Sequence, residues 1–146
     1  MDLIENILKP MVEKHKLEAK LGDGLLHRHF DLEEPEKLVE FNNISISWKN
    51  YKWDDCSEGK IVPNAWTIRR GSLVPYEFFF SPRGRETPFD FSSASAFLDE
   101  FIEAVERMGL ESVVSLRLFP HKGYTGALEF TDGRANINLS PDRYVI

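Results

Sequence analysis

The sequence has little of what most directly reveals a protein's compartment or chemistry. Its 146 residues include one cysteine, Cys56, so no disulfide can form within the chain, and a reducing compartment is expected. No apolar run approaches the roughly 18 residues of a membrane span. The N-terminal residues lack the basic and continuous apolar regions of a signal peptide. We therefore expect a soluble, cytoplasmic protein without membrane association.

Positive charge is also scarce, which bears on the partners of the chain. The 18 Lys and Arg residues are outnumbered by 24 Asp and Glu residues, giving a formal net charge of -6. Phosphate backbones would be repelled at long range, so no nucleic-acid partner is expected. The sequence has no G-x-S-x-G, P-loop or G-x-G-x-x-G motif, which argues against serine hydrolase, NTPase and dinucleotide-binding functions. Acidic neighbours of Cys56 in "WDDCSEG" disfavour its thiolate and hence nucleophilic catalysis.

Apolar and aromatic residues, in contrast, are plentiful. Hydrophobic residues make up 42% of the chain, including 11 Phe, 4 Tyr and 3 Trp, which is typical of a compact globular protein. The length is that of one ordinary domain, and no repeat or linker divides the sequence. We therefore predict a single domain over residues 1–146.

Two segments have helical periodicity. Apolar residues recur at helical spacing from Ile4 to His15, with Pro10 predicting a kink or the start of a second helix. The second segment, 93–108, has an apolar stripe; Asp90 or Ser92 can cap its start, and Gly109 suits its end.

Most of the remaining sequence predicts short strands. They lie at about 25–32, 36–41, 44–49, 65–70, 73–81, 112–119, 125–131 and 134–139. "RRGSL" and "TDGRA" predict hairpin turns, the second with Asp132 and Gly133 at the positive-φ positions of a type I′ turn. The predicted fold is a single α+β domain. It has a twisted antiparallel sheet of six to eight strands, whose order allows a half-barrel, and two helices covering one face.

Side chains alternate across a strand, so each predicted strand has two faces. One face is apolar and would be covered by the helices: Ile44, Ile46, Trp48, Trp66, Ile68, Tyr76, Phe78, Phe80, Val114, Leu116, Leu118, Leu128, Phe130, Ile137 and Leu139. The other is mainly polar and includes Ser45, Ser47, Thr67, Arg69, Glu77, Phe79, Ser115, Arg117, Phe119, Glu129, Thr131, Asn136 and Asn138. His27 and His29 fall on the polar face. This mixture of polar and aromatic groups suits a ligand site, although a solvated sheet face is the competing interpretation.

The polar face predicts a small-molecule-binding protein that could act as a cofactor-independent acid–base enzyme of the isomerase, lyase or cyclase type. The candidate catalytic residues are His27, His29, Glu77 and Glu129, because imidazoles and carboxylates can exchange protons with a bound ligand. Candidate ligand-binding residues are Arg69, Arg117, Phe79, Phe119 and Trp53. No cofactor or metal is expected. The alternative is a non-catalytic protein-interaction module that uses loop aromatics or a sheet edge.

Two resemblances accompany this interpretation. His27-x-His29 followed by Glu33 resembles the first half of the cupin metal motif, which implies a metal site, but the framing glycines and the second motif are missing. The segments "LLHRHFDL", "PNAWTI" with "GSLVPYEF", and "LEFTDGRANINLSP" are similar to small, largely uncharacterised proteins of filamentous fungi. That resemblance spans most of the chain, implies a eukaryotic origin and assigns no catalytic residue.

Overall fold

A computed structural model describes residues 4–27, 29–49, 60–83, 87–119 and 126–140, with only the backbone of residues 4 and 5. Two of the predicted features, Cys56 and the candidate ligand-binding residue Trp53, lie outside these ranges. In the described part, no helix is long and apolar enough to cross a membrane.

Both predicted helices are present. A π-helical turn, Ile4–Leu8, leads into α1, Lys9–Lys14, so Pro10 lies in the first turn of α1, where its missing N–H breaks no helical hydrogen bond. A 3₁₀ turn, Phe91–Ala94, precedes α2, Ser95–Arg107. The Ser92 N–H donates to Asp90 Oδ1 at 2.9 Å, so Asp90 caps the 3₁₀ turn, whereas α2 itself has Ala94 at its N-cap without a side-chain capping bond. Gly109, with a φ of 67°, lies just beyond α2 and confirms the predicted stop.

Eight strands complete the α+β fold. Their bounds are β1 Leu21–Leu25, β2 Lys37–Phe41, β3 Ile44–Trp48, β4 Lys60–Arg69, β5 Ser72–Ser81, β6 Val114–Leu118, β7 Leu128–Asp132 and β8 Ala135–Leu139. The strands are ordered β1-β6-β4-β5-β2-β3-β8-β7. The pairing of β2 with β5 is parallel, so the sheet is mixed rather than wholly antiparallel.

Tight turns join several strand pairs. Asn42 and Asn43, with φ of 52° and 66°, form a two-residue turn between β2 and β3, as a type I′ turn requires. The predicted turn after β7 is shifted by one residue. Asp132 still belongs to β7 and pairs with Ala135, so Gly133, with a φ of 58°, is the first of the two turn residues. A positive φ at that first position fits a type II′ turn.

The prediction of a strand over 25–32 is wrong. β1 ends at Leu25, whose partner Val114 is the first residue of β6. Beyond it, the Leu26 N–H still donates to the Val113 carbonyl at 2.8 Å, and the ladder then ends. The described residues after Leu25, namely 26, 27 and 29–32, therefore form no strand, and both histidines lie in an irregular segment.

The chain forms two compact units. The first contains both helices, β1 and β6, and the second contains β2, β3, β7 and β8, while β4 and β5 contribute part of their length to each. In the first unit the apolar stripe of α2 packs into the core as predicted. The buried cluster comprises Leu8, Val12, Leu21, Ile68, Phe97, Phe101, Val105, Val114 and Leu116.

In the second unit the predicted burial of the two faces is reversed on the strands β3 and β8, and every residue of β7 is exposed. Ser45 and Asn136, which face each other across β3 and β8, are 7% and 3% exposed. Ile44 and Ile46, the neighbours of Ser45, are 43% and 47% exposed. The expectation that the helices cover one continuous apolar face therefore fails for this unit. The helices pack into the core of the first unit. In the second unit, His29 contacts the polar face through Thr131 and Glu129.

Candidate functional site

The site with the clearest chemistry is centred on His29, in the second unit. Its Nε2 lies 3.2 Å from Glu129 Oε2, and its Nδ1 lies 3.0 Å from Thr131 Oγ1. Glu129 and Thr131 alternate along β7, so both point to the face on which His29 packs. The His29 side chain is only 12% exposed, whereas that of Glu129 is 36% exposed. The imidazole is thus held between the Thr131 hydroxyl and the Glu129 carboxylate, and the carboxylate reaches water.

These contacts define where protons lie. A carboxylate only accepts, so Nε2 of His29 carries the hydrogen that faces Glu129. In the neutral ring Nδ1 is then an acceptor and takes a hydrogen bond from the Thr131 hydroxyl. In the charged ring Nδ1 is a donor, and the same hydroxyl accepts. The Thr131 hydroxyl can therefore follow the charge of His29 by rotating.

The polar contacts continue across β8. When the Thr131 hydroxyl is released from donating to His29, its hydrogen can point to Asn136 Oδ1, at 3.5 Å. Asn136 Nδ2 lies 3.5 Å from Asn138 Oδ1, and Asn138 is the cross-strand partner of Glu129. Asn136 is buried, so its amide is fixed in place. The side chains of β7 and β8 thus form a continuous polar strip beside the imidazole.

His27 differs from His29 in its surroundings. It is exposed, and its Nδ1 lies 3.0 Å from the Leu25 carbonyl oxygen, which makes Nδ1 the protonated nitrogen because a carbonyl only accepts. His27, His29 and Glu129 each offer one ligand atom, and these atoms lie within 4.8 Å of one another. These are the residues that could hold a metal ion, since two histidines and one carboxylate with an open position occur in catalytic zinc sites.

Glu77 and Phe79, two further predicted site residues, lie on the polar face of the second unit but on another strand. On β5 they are register partners of Leu38 and Glu40 on β2. Four strand spacings separate β5 from β7 in the strand order, or about 19 Å along a sheet. They share a face with Glu129, and their part in a ligand site stays a prediction.

Three predicted ligand-binding residues, Arg69, Arg117 and Phe119, belong to the first unit. A Cβ added to Gly24 would lie 2.7 Å from Arg117 Cδ, and one added to Gly22 would lie 4.0 Å from Phe119 Cδ2. The side chains of Arg117 and Phe119 therefore lie over the glycines of β1, Gly24 and Gly22 respectively. Arg69 is exposed at the end of β4. Their role in binding a ligand stays a prediction.

The sequence predicted no role for Asp23. In the structure it lies in β1 opposite the buried Leu116. Burial raises the pKa of the Asp23 carboxyl above its usual value, and a hydrogen bond from its own backbone opposes that shift. Asp23 is thus a half-buried carboxyl of the first unit.

Two acidic residues that follow His29 in sequence, Glu33 and Glu36, are paired with basic residues of other segments. Glu33, the acidic residue of the cupin-like pattern, accepts a hydrogen bond from Lys49 Nζ at 2.9 Å. Arg134 forms an ion pair with Glu36 and lies over the Phe30 ring, 5.5 Å from its centroid. The hydrogen bond from Lys49 is the main cause of the lowered pKa of Glu33. These contacts hold the segment that carries His29 against its strands.

A surface depression lies elsewhere, on α2. Its lining residues are Gly71, Asp99, Ile102, Glu103, Glu106 and Arg107, none of which belongs to the predicted site. It is bordered by three carboxylates and one guanidinium and has no proton-exchanging histidine. The chemistry therefore points to His29 rather than to this depression.

Comparison with family models, with curated proteins and with solved structures finds no match. The contacts of His29 are therefore the main indication of function.

Proposed function

We propose that the second unit binds a small polar molecule at the strip formed by β7 and β8, and that His29 exchanges a proton with it. One observation carries this proposal: both ring nitrogens of His29 have polar partners, Glu129 at 3.2 Å and Thr131 at 3.0 Å. An imidazole fixed between a carboxylate and a hydroxyl has a defined tautomer and orientation, which general acid–base catalysis requires.

The proposed proton transfer uses the rotation of the Thr131 hydroxyl. When a ligand gives a proton to the Thr131 oxygen, the hydroxyl hydrogen passes to Nδ1 of His29, and Glu129 is placed to stabilise the positive ring. Thr131 then turns its hydrogen toward Asn136 Oδ1, 3.5 Å away, and its oxygen accepts a hydrogen bond from Nδ1 of His29. The two donors, Nδ1–H and the Thr131 hydroxyl, therefore do not face each other. Return of the proton to a different atom of the ligand would complete an isomerisation.

The charge of the strip favours a carbonyl compound over a strongly anionic ligand. Glu129 brings a negative charge, and the guanidinium of Arg134, in the turn between β7 and β8, is engaged by Glu36. The Asn136 and Asn138 amides can donate to a carbonyl oxygen or accept from a hydroxyl. We therefore propose a small ketone or hydroxy-ketone as the ligand class, and the cytoplasm as the location.

A ligand screen by NMR tests the proposal. The full chain, treated with EDTA, is titrated with a panel of small ketones, hydroxy-ketones and carboxylic acids while backbone and histidine ring signals are recorded. We expect at least one carbonyl compound to shift the signals of His29, Thr131 and Asn136 together. His29→Gln should lower that affinity at least about tenfold, because the proton-exchanging group is lost.

His15→Gln is the matched control, because His15 is a half-buried histidine of the first unit that pairs with Glu100. It should leave the affinity unchanged. The absence of any shift at His29 across the panel would contradict the proposal. If the panel binds only after zinc is added, metal-dependent binding at the histidines replaces metal-free proton exchange as the function.

A further inference from the structure

The second unit exposes a continuous apolar surface on the strand face opposite His29. Its five most exposed members are Phe41, Ile44, Ile46, Leu128 and Phe130, with exposed fractions from 43% to 56%. They form a block because strand register aligns them: Phe41 faces Ile44, Ile44 faces Ile137, and Ile137 faces Phe130. We call these five residues and Ile137 the apolar patch.

Burial of the opposite face makes the patch unusual. Alternation along β3 places the buried Ser45 between two exposed isoleucines. A sheet ordinarily buries its apolar side and leaves serine and asparagine in water. On β3 and β8 the reverse holds, although Val39 on the same face is buried, so a further layer is expected over the isoleucines.

The area of the patch suits a partner of modest size. The five most exposed side chains leave on the order of 450 Å² in water, because a large side chain has about 150–250 Å² of surface. Two such patches, with their half-exposed neighbours, would bury about 1,000 Å² in total, which is the lower limit for a specific protein interface. The expected complex is therefore weak and reversible.

Charge at the border of the patch points to a second copy of the chain. On this face Lys37 lies at the β2 side and Asp132 at the β7 side. Asp132 is in the cross-strand row of Val39, because Val39 faces Ile46, Ile46 faces Ala135, and Ala135 faces Asp132. Lys37 is two residues before Val39 on β2.

A two-fold axis parallel to the strands makes these charges complementary. It places β2 of one copy over β7 of the other, with each Lys37 two residues, or about 7 Å, along the strands from Asp132 of the second copy. The Lys37 ammonium lies over the Phe78 ring within its own chain, and its flexible side chain can turn to span that distance. Two apolar sheet faces then pack as in a β-sandwich, about 10 Å apart. We propose that the chain forms a homodimer through the apolar patch, with these two ion pairs at its border.

Sedimentation velocity of the full chain over a range of concentrations tests the proposal. We expect a monomer at low concentration and a dimer at high concentration. Leu128→Lys should weaken the dimer at least about tenfold, because a charge would be buried in the interface. Leu25→Lys is the matched control: Leu25 is 58% exposed and Leu128 is 55% exposed, and both are at strand ends. It should leave the dimer unchanged.

Charge exchange tests the two-fold arrangement itself. Lys37→Asp and Asp132→Lys should each weaken the dimer, and the double variant should restore it, with NMR spectra confirming that every variant is folded. A wild-type chain that stays monomeric would overturn the proposal, even if it bound vesicles of phosphatidylcholine and phosphatidylglycerol through the patch. So would a dimer that Leu128→Lys leaves intact or that the double variant does not restore.

Discussion

At the scale of single residues, the hydrogen bonds of short polar side chains determine where elements begin and which ring nitrogen holds a proton. Asp90 accepts from both the hydroxyl and the N–H of Ser92, at 2.6 and 2.9 Å. These bonds, the hydroxyl bond foremost, lower the pKa of Asp90 below its usual 3.8. The carboxylate therefore stabilises the turn that leads into α2.

This lowered pKa predicts a pH-dependent stability. A carboxyl whose pKa is lower in the folded state stabilises the fold above its unfolded pKa, and the effect is lost as the pH falls through the folded pKa. Asp90→Ala should therefore lower the melting temperature by a few degrees at pH 7 and by less at pH 3. Asp90→Asn, which keeps a capping oxygen, should lower it less. Thermal unfolding followed by circular dichroism measures this, and an equal loss from Asp90→Ala at both pH values would contradict it.

At the scale of elements, periodicity predicted which segments form helices and strands better than it predicted which sides are buried. α2 was predictable because a 3.6-residue apolar stripe, a cap and a final glycine agree. Strand parity correctly grouped Glu129, Thr131, Asn136 and Asn138, and these line the site of His29. It placed Ile44 and Ile46 in the core wrongly, because alternation separates two faces without telling which one another layer will cover.

Val39 and Ile46 lie on the same face of the sheet but are covered to very different extents, and a pair of substitutions tests this difference. They are cross-strand partners, yet Val39 is 2% exposed and Ile46 is 47% exposed. Val39→Ala should lower the free energy of unfolding by about 2 kcal/mol, since buried methyl groups are lost and a cavity remains. Ile46→Ala should cost less than about 1 kcal/mol at concentrations where the chain is monomeric. Urea denaturation measures both, and equal losses would show that the apolar patch is covered within one chain.

At the scale of the whole molecule, the candidate site residues predicted from one polar face are distributed over two compact units. The sequence could supply the residue types and the parity that groups Glu129 with Thr131, but not the irregular segment that brings His29 to them. It could not supply the strand order, because pairing between distant segments leaves no local pattern. For that reason Arg117 and Phe119 were grouped with residues of the other unit. Thr131 was recognised as polar but not as the partner of the imidazole.

The contacts of His29 with Glu129 and Thr131 hold its ring in one tautomer. Long-range proton–nitrogen NMR correlations of the histidine rings at alkaline pH test it most directly, because they distinguish the two ring nitrogens. We predict that His29 carries its hydrogen on Nε2 and His27 carries its hydrogen on Nδ1. Thr131→Val should change the Nδ1 shift of His29 and leave His27 as it is. A mixture of tautomers at His29, or the same tautomer at both residues, would contradict the account.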